Sequence, residues 1–133
     1  ESSVQVKLNP IREAVEGKRI IMIDDSIVRG TTSDRIVKML REAGAKEVHM
    51  RVSSPPFLWP CYFGTDVPAR EQLIAYKHSV EEIRQIIGTD SLAYLKAERL
   101  KEIVNNLGIC QGCFTGKYPL DPPKEDIRGE FER

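Results

Sequence analysis

The sequence predicts an α/β fold in which a parallel sheet with flanking helices is followed by a helical carboxyl-terminal region. Three observations support this class. Residues 20–23 are a continuous apolar run before two acids, residues 32–43 carry apolar side chains at helical spacing, and residues 47–53 alternate apolar and polar side chains. A strand, a helix and a second strand in this order form a right-handed crossover, so we expect the strands to be parallel.

The central predicted unit is the strand Ile20–Asp24 followed by the helix Thr32–Ala43. Because a continuous apolar run suits a strand inside a parallel sheet, we expect this strand to be buried on both faces. The hydroxyl of Thr32 or Ser33 can cap the helix, and Gly44 is placed to end it. The next strand is predicted at Glu47–Ser53, with His49 facing outward.

Two further helices are predicted in the second half of the chain. Asp66 is placed to cap the first, which tolerates proline in its opening turn and continues to Tyr76. Ser79 and Glu82 have the spacing of a capping box at the start of the second, and Gly88 is placed to end it. The buried stripe of the second helix is predicted to be Ile83, Ile86 and Ile87.

The remaining segments have weaker patterns. A short apolar segment at Ser91–Leu95 predicts a strand, and Ala97–Leu107 predicts a helix. The alternating segment Val4–Pro10 predicts an edge strand or an extended loop, and His78 is expected on the surface between two helices. We divide the chain into an α/β core (1–66), a helical region (67–119) and a flexible tail (120–133).

Composition excludes several classes of protein. The chain has 133 residues, which suits one domain, and its 20 basic and 20 acidic side chains give a net charge of zero. A nucleic-acid surface would need a basic excess, and a membrane span would need about 20 consecutive apolar residues. Neither is present, and Glu1–Lys7 lacks the apolar core of a signal peptide. We therefore expect a cytoplasmic protein that binds neither nucleic acid nor membranes.

The stretch from Ile20 to Ser33 predicts a binding site for a sugar phosphate. Gly30 lets a ligand approach the backbone, and the free amides at a helix start attract anions. Asp24 and Asp25 can accept hydrogen bonds from sugar hydroxyls or hold Mg²⁺, which prefers oxygen ligands. The alternative is an ordinary strand-to-helix turn with two solvated acids. Further donors in the stretch are the hydroxyls of Ser26, Thr31, Thr32 and Ser33.

The three cysteines are candidate metal ligands. Cys110 and Cys113 are spaced so that two thiolates can reach one metal, and Cys61 is a third candidate. Three thiolates are one short of the four that a structural zinc or an iron–sulfur cluster normally needs. The alternatives are inert thiols or, less favoured, a redox pair.

The stretch Asp24–Ser33 resembles the signature of the type I phosphoribosyltransferases: apolar residues, two acids and a loop that ends in Gly-Thr-Thr. The whole string is specifically similar to the amidophosphoribosyltransferase family, which makes phosphoribosylamine in the first committed step of purine synthesis. The resemblance extends from about Val4 to Pro119. It continues through residues 42–48, 54–56, 61–66 and 113–119.

The resemblance implies a partial type I phosphoribosyltransferase fold and a set of site residues. The substrate would be phosphoribosyl pyrophosphate, with Asp24 and Asp25 contacting the ribose hydroxyls and the magnesium shell. Lys7 would belong to a mobile lid over the pyrophosphate. No side chain would act as a nucleophile, because ammonia from glutamine attacks the sugar. The loop that would hold the 5′-phosphate consists of Ser26, Ile27, Val28, Arg29, Gly30, Thr31 and Thr32.

The resemblance also implies a cofactor and partners. Some members of the family hold a structural [4Fe–4S] cluster with four cysteines, and Cys61, Cys110 and Cys113 match three of those positions. The fourth belongs to a part of the pattern that this sequence lacks, as does the glutaminase domain. We therefore expect a carboxyl-terminal fragment that is inactive alone, holds a cluster incompletely or not at all, and associates with the rest of the enzyme or with another copy. The less favoured alternative is an unusual stand-alone gene product. Purine nucleotides are expected as inhibitors.

Two alternative functions share the predicted fold. The chain could be a non-catalytic sensor of phosphoribosyl pyrophosphate or of a purine nucleotide. It could also be a phosphoribosyltransferase that acts on a purine base. The Cys-x-x-Cys pair and the segment from Ser54 to Asp66 count against the second alternative, because they match the amidotransferases and have no evident role in binding a base.

Overall fold

The computed structural model of the protein describes residues 10–122. The predicted strand before Pro10, the lid residue Lys7 and residues 123–133 lie outside this range. The strands are β1 (Arg19–Asp24), β2 (Glu47–Val52) and β3 (Ser91–Tyr94). The helices are α1 (Arg12–Val15), α2 (Thr31–Glu42), α3 (Ile74–Lys77), α4 (Val80–Ile87), α5 (Leu100–Ile103) and α6 (Gly112–Thr115), with 3-10 turns at Arg70–Gln72 and Ala97–Arg99.

The three strands form one parallel sheet in the order β1-β2-β3. Ile20 pairs with Val48 and Met22 with Met50, so alternate residues of both strands share a face. The α/β class and the parallel crossover from β1 through α2 to β2 are confirmed. Since β3 lies within residues 67–119, that region contributes a strand to the same sheet.

The helices cover one face of the sheet. Helices α2 and α4 contact each other and pack on the face that carries Val48, Met50 and Val52. This placement follows from the strand order, because two right-handed crossovers that progress in the same direction put both helices on one side. The main core lies on this side of the sheet. It consists of Ile27, Met50, Val52, Ile74, Ile83 and Ile87.

The opposite face of β1 is exposed, so the prediction of a strand buried on both faces was wrong. Ile21 is 66% exposed and Ile23 is 76% exposed. β1 is an edge strand among the described residues, and no described helix lies over these two side chains. An apolar run shows that a strand is suited to burial on both faces. Whether both faces are in fact buried depends on which elements pack against the strand.

A network of polar side chains crosses the same face beside the two isoleucines. The Nε atom of Arg19 donates to Glu47 (2.7 Å), and the ring of His49 contacts both Glu47 and Ser91 (2.9 Å each). His49 therefore faces away from the helices, as predicted, although its side chain is held by partners on β2 and β3. His78 is exposed, also as predicted.

The helix boundaries agree with the sequence where local signals are strong. Ser79 caps α4 through a complete capping box with Glu82, and Gly88 ends the helix in the left-handed conformation. Ile83 and Ile87 are fully buried, but Ile86 is 47% exposed because it lies at the margin of the stripe. For α2, the predicted caps Thr32 and Ser33 were wrong: Gly30 is the N-cap residue and makes no side-chain hydrogen bond.

Two predicted helices are shorter than the sequence indicates. The helix expected from Asp66 to Tyr76 is replaced by the turn Arg70–Gln72 and the short α3, because Leu73 between them is extended and fully buried. Asp66 caps neither element. The helix expected at Ala97–Leu107 is reduced to a 3-10 turn and α5. It is followed by two residues with positive φ, Asn105 and Asn106.

The side chain of Asp90 links α2 to the start of β2 through two hydrogen bonds. Its carboxylate accepts hydrogen bonds from the Val48 amide and from Nη2 of Arg41, both at 2.6 Å. These hydrogen bonds hold the pKa of Asp90 below its usual value, and the one from the Val48 amide has the larger effect. Because Val48 is fully buried, its amide has no access to water if the carboxylate is removed.

We expect Asp90→Ala to destabilise the protein by about 1–3 kcal/mol, the usual cost of leaving a buried donor unsatisfied. A lowered folded-state pKa means that the contribution is complete above the unfolded-chain value of about 4 and declines as pH falls below it. Urea denaturation of both proteins at pH 7 and pH 3 measures this. A difference in unfolding free energy that stays constant between the two pH values would contradict the assignment.

Candidate functional site

The carboxyl end of β1 opens into a cavity of about 450 Å³. This is the edge of the sheet where parallel α/β folds bind ligands. Every predicted site residue from Asp24 to Thr32 lines this cavity, so the structure brings that part of the predicted set together. The complete lining is Asp24, Asp25, Ser26, Ile27, Val28, Arg29, Gly30, Thr31, Thr32, Ser33, Asp66 and Pro68.

Two apolar residues hold the loop between β1 and α2 in place. The side chain of Ile27 is 2% exposed in the main core, and Val28 packs against a second cluster. The carbonyl of Val28 also accepts a hydrogen bond from the amide of Ile74 at 2.9 Å. Because the Ile27 side chain points into the core, it can offer a ligand nothing beyond its backbone. Both side chains therefore shape the loop, and the polar groups that these two residues can offer a ligand are those of their backbones.

Gly30 places the first turn of α2 against the cavity. Its φ of +81° is in the left-handed region, which glycine adopts at little cost. A Cβ atom at this position would lie 2.7 Å from Cδ1 of Ile74. Among the described residues, no hydrogen bond is made by the backbone N–H groups of residues 26 to 33. The start of α2 therefore presents free donors at the positive end of a helix of 12 residues.

The two acids stand beside these donors without a cationic partner in the described part of the chain. The amide of Asp25 donates to Oδ1 of Asp24, and Oγ of Ser26 donates to Oδ1 of Asp25, each at 2.9 Å. The second oxygen of each carboxylate accepts no hydrogen bond from residues 10–122. The cavity thus combines anion donors with two available carboxylates, the arrangement that a phosphorylated sugar requires.

The donor set fits magnesium. Mg²⁺ is usually bound through one or two carboxylates together with waters and substrate phosphates, so it needs no complete cage of protein ligands. The free oxygens of Asp24 and Asp25 can supply the protein's share. Within residues 10–122, no group of three or more His, Cys, Asp or Glu side chains is arranged to hold a metal alone.

Asp66 and Pro68 belong to the lining although sequence reasoning did not select them as site residues. The segment Asp66-Val67-Pro68 was interpreted as a helix start, and that interpretation was wrong. Val67 is 2% exposed in the second cluster, against which Val28 also packs. Since one apolar cluster anchors both segments, Asp66 is held at a definite place in the wall of the cavity. The chain gives no local signal for this, because the two segments lie far apart in sequence.

The second cluster also joins the segment around Cys61 to the segment around Cys113. Its buried residues are Phe57, Val67 and Leu73, and both cysteines pack against it. The carbonyl of Cys113 accepts hydrogen bonds from the amides of Leu58 and Trp59 at 3.0 Å each. Further contacts across the junction are the Phe57–Phe114 ring pair at 5.0 Å and the hydrogen bond from the Tyr118 hydroxyl to the Pro60 carbonyl at 2.7 Å.

The thiols of Cys61 and Cys110 lie close enough to Cys113 to affect its ionisation. Burial, with smaller contributions from the neighbouring Cys61 and Cys110, raises the pKa of Cys113 to about 11. Burial thus disfavours the charged thiolate of Cys113 relative to its neutral thiol. No group of three metal-binding side chains, cysteines included, is found within the described range. The segments that carry Cys61 and Cys113 nevertheless meet at the junction, although they lie far apart in sequence.

Relatives of known identity resemble this chain over most of its length. The amidophosphoribosyltransferase of Archaeoglobus fulgidus is 57% identical over 130 residues, which is 95% of this chain and 28% of that protein. The Bacillus subtilis enzyme is 56% identical over 127 residues, 91% of this chain and 27% of that protein. A chloroplastic amidophosphoribosyltransferase of Glycine max is 54% identical over 97% of this chain and 26% of its own length. No family profile matches the chain.

The fold agrees with these sequence similarities. The glutamine phosphoribosylpyrophosphate amidotransferase of Bacillus subtilis, solved in complex with ADP and GMP, superposes with a TM-score of 0.82 and 50% identity. The match covers 94% of this chain and 30% of that one. The chain therefore spans about a quarter to a third of the proteins it matches. Over that shared segment, the chain matches the amidophosphoribosyltransferases both in sequence and in fold.

Proposed function

We propose that the cavity at the end of β1 binds phosphoribosyl pyrophosphate. The chain would then be the substrate-binding part of an enzyme that makes 5-phosphoribosylamine from this compound and ammonia derived from glutamine. One observation carries the proposal: free backbone donors at the start of α2 lie beside two carboxylates that have no cationic partner among the described residues. This combination suits a phosphate and a sugar on the same ligand.

The 5′-phosphate would lie against the amides and hydroxyls of residues 26–32. These donors cost no reorganisation when the phosphate arrives, because Ile27 and Val28 already hold the loop in shape. Arg29, which lines the same cavity, adds a positive charge. The phosphate would thereby fix the ligand's orientation and direct its sugar toward Asp24 and Asp25.

Asp24 and Asp25 would accept hydrogen bonds from the ribose hydroxyls through their free oxygens. They would also hold Mg²⁺, which when bound stabilises the negative charge that develops on the pyrophosphate. Lys7 is predicted to assist from outside the described residues. No protein nucleophile is needed, because ammonia attacks C1 of the sugar. The chain's part in the reaction is therefore to bind and orient the sugar phosphate.

Titration of this chain with phosphoribosyl pyrophosphate tests the binding step directly. We expect saturable binding at one site that strengthens when Mg²⁺ is added, and weaker binding of ribose 5-phosphate, which retains the phosphate and the hydroxyls. Isothermal titration calorimetry measures both. Absence of binding by the folded chain with Mg²⁺ present, at ligand concentrations up to the millimolar range, would refute the proposal.

The proposed partners are purine nucleotides and a further polypeptide, which is either the rest of an enzyme or another copy of this chain. The Bacillus subtilis relative was solved with ADP and GMP, and both ligands carry a phosphorylated ribose that the same kind of cavity could hold. The exposed side chains of Ile21 and Ile23 suggest that β1 packs against the rest of an enzyme or against another copy.

No helix among residues 10–122 is long and apolar enough to cross a bilayer. A cytoplasmic location remains a prediction, since some relatives are described as chloroplastic.

The cysteines yield a separate prediction. We expect the chain alone to hold a [4Fe–4S] cluster incompletely or not at all, because its three cysteines fall one short of the four ligands that such a cluster normally needs. Iron and acid-labile sulfide analysis of anaerobically purified protein, together with its visible absorbance, measures this. A stoichiometric cluster on the isolated chain would contradict the prediction.

A further inference from the structure

Asp66 is a third carboxylate in the cavity, and the proposed binding of phosphate and ribose leaves it without a role. It lines the cavity together with Asp24 and Asp25 but comes from a separate segment after β2. Its side chain is exposed and makes no hydrogen bond or ion pair with any described residue. Its position is nevertheless defined, because the adjacent Val67 is buried in the cluster that also anchors Val28.

The charge of Asp66 restricts what it can contact. A carboxylate repels the 5′-phosphate and the pyrophosphate, so Asp66 suits a part of the ligand or co-substrate that carries hydrogen-bond donors. If the phosphate lies at the loop and the ribose hydroxyls face Asp24 and Asp25, the donor that remains is the nitrogen that joins C1. This reasoning rests on the proposed function, since it takes its orientation from the phosphate at the start of α2.

We infer that Asp66 binds and orients the incoming amine. In the transfer step, the nitrogen lone pair forms the new bond to C1 while the C1–O bond breaks and its electron pair leaves with the pyrophosphate. Asp66 accepts a hydrogen bond from an N–H of the amine throughout this step. The positive charge that develops on the nitrogen strengthens that hydrogen bond, because one made between charged partners is stronger than a neutral one.

The experiment compares Asp66→Ala and Asp66→Glu with the unchanged protein in a complete amidophosphoribosyltransferase that carries this segment. Ammonium chloride replaces glutamine as the nitrogen source at constant pH. For Asp66→Ala we expect the KM for ammonia to rise about tenfold, as for loss of one hydrogen bond to a charged group. The KM for phosphoribosyl pyrophosphate should change less than twofold, and Asp66→Glu should recover part of the loss. Glu71→Gln, an exposed carboxylate outside the cavity, is the control and should leave both constants unchanged.

Each outcome has a definite meaning. An unchanged KM for ammonia in Asp66→Ala, or a rise confined to the KM for phosphoribosyl pyrophosphate or for Mg²⁺, would overturn the inference and leave the proposed function in place. If the unchanged enzyme binds no phosphoribosyl pyrophosphate, the proposed function fails and the inference fails with it. Because the Asp66 side chain is exposed, all variants should share one melting temperature, which checks that each is folded.

Discussion

Replacing Asp24 or Asp25 by alanine is expected to lower synthesis of 5-phosphoribosylamine from ammonia by about 10²–10³-fold in a complete enzyme, the usual cost of losing one preorganised charged contact. Hydrolysis of glutamine should be unaffected, because the role proposed for the two carboxylates is to bind the sugar phosphate and its magnesium. Both carboxylates line the cavity beside the free amides of α2 and lack a cationic partner in the described chain, so their charge is available to a ligand. Steady-state assays of the two activities on one preparation provide the measurement.

Asp34→Ala is a matched control for these variants. Asp34 is a carboxylate in the first turn of α2 that pairs with Lys38 at 2.8 Å and does not line the cavity. It should leave synthesis within a few fold of the unchanged enzyme and cost at most about 0.5 kcal/mol of stability, as for an exposed pair of this spacing. Near-normal synthesis by either Asp24→Ala or Asp25→Ala would refute the assigned role.

Gly30→Ala is expected to destabilise the fold by about 2–5 kcal/mol and to abolish ligand binding. The left-handed φ of +81° costs an alanine about 1–2 kcal/mol. Its Cβ would also lie 2.7 Å from Cδ1 of Ile74, and overpacking of this kind costs about 1–3 kcal/mol. Urea denaturation gives the stability, and calorimetric titration with phosphoribosyl pyrophosphate gives the binding.

Gly17 separates the two costs. Its φ is +71°, but no atom lies within 4 Å of the position that a Cβ would take. Gly17→Ala should therefore show only the backbone cost of about 1–2 kcal/mol. Adding Ile74→Val to Gly30→Ala removes the methyl group that the new Cβ meets, so the double variant should recover part of the loss, measured as a coupling energy. If Gly30→Ala destabilised the protein no more than Gly17→Ala, packing around Gly30 would contribute nothing to the cost.

The parts of the fold that the sequence predicted correctly depend on contacts between near neighbours in the chain. The capping box of α4 pairs Ser79 with Glu82, three residues on, and the glycine after each main helix has a positive φ. The strands followed from apolar patterns a few residues long. Such signals are complete within a short segment, so they can be interpreted without the rest of the structure.

The wrong predictions share the opposite property. Ile21 and Ile23 are exposed because both crossover helices lie on the other face of the sheet. The helix predicted from Asp66 to Tyr76 is interrupted because Leu73 is drawn, in extended conformation, into a cluster with Phe57 and Val67. In each case a distant segment determines the outcome, and its position cannot be deduced from local spacing.

The same distinction applies to the site. Asp24, Asp25 and the loop to Thr32 form a continuous stretch. The phosphate-binding role that we propose for it follows from local rules: acids after a strand, then a glycine, then the free amides of a helix. Packing of distant segments settled three further features. Ile27 is a core residue, Asp66 belongs to the cavity lining, and Cys61 and Cys113 meet at an aromatic junction. Hydrogen bonds and backbone conformation act within a few residues, whereas burial of apolar surface joins segments at any separation along the chain. For that reason the ligand class could be inferred from one stretch, but the complete lining of its cavity required the tertiary structure.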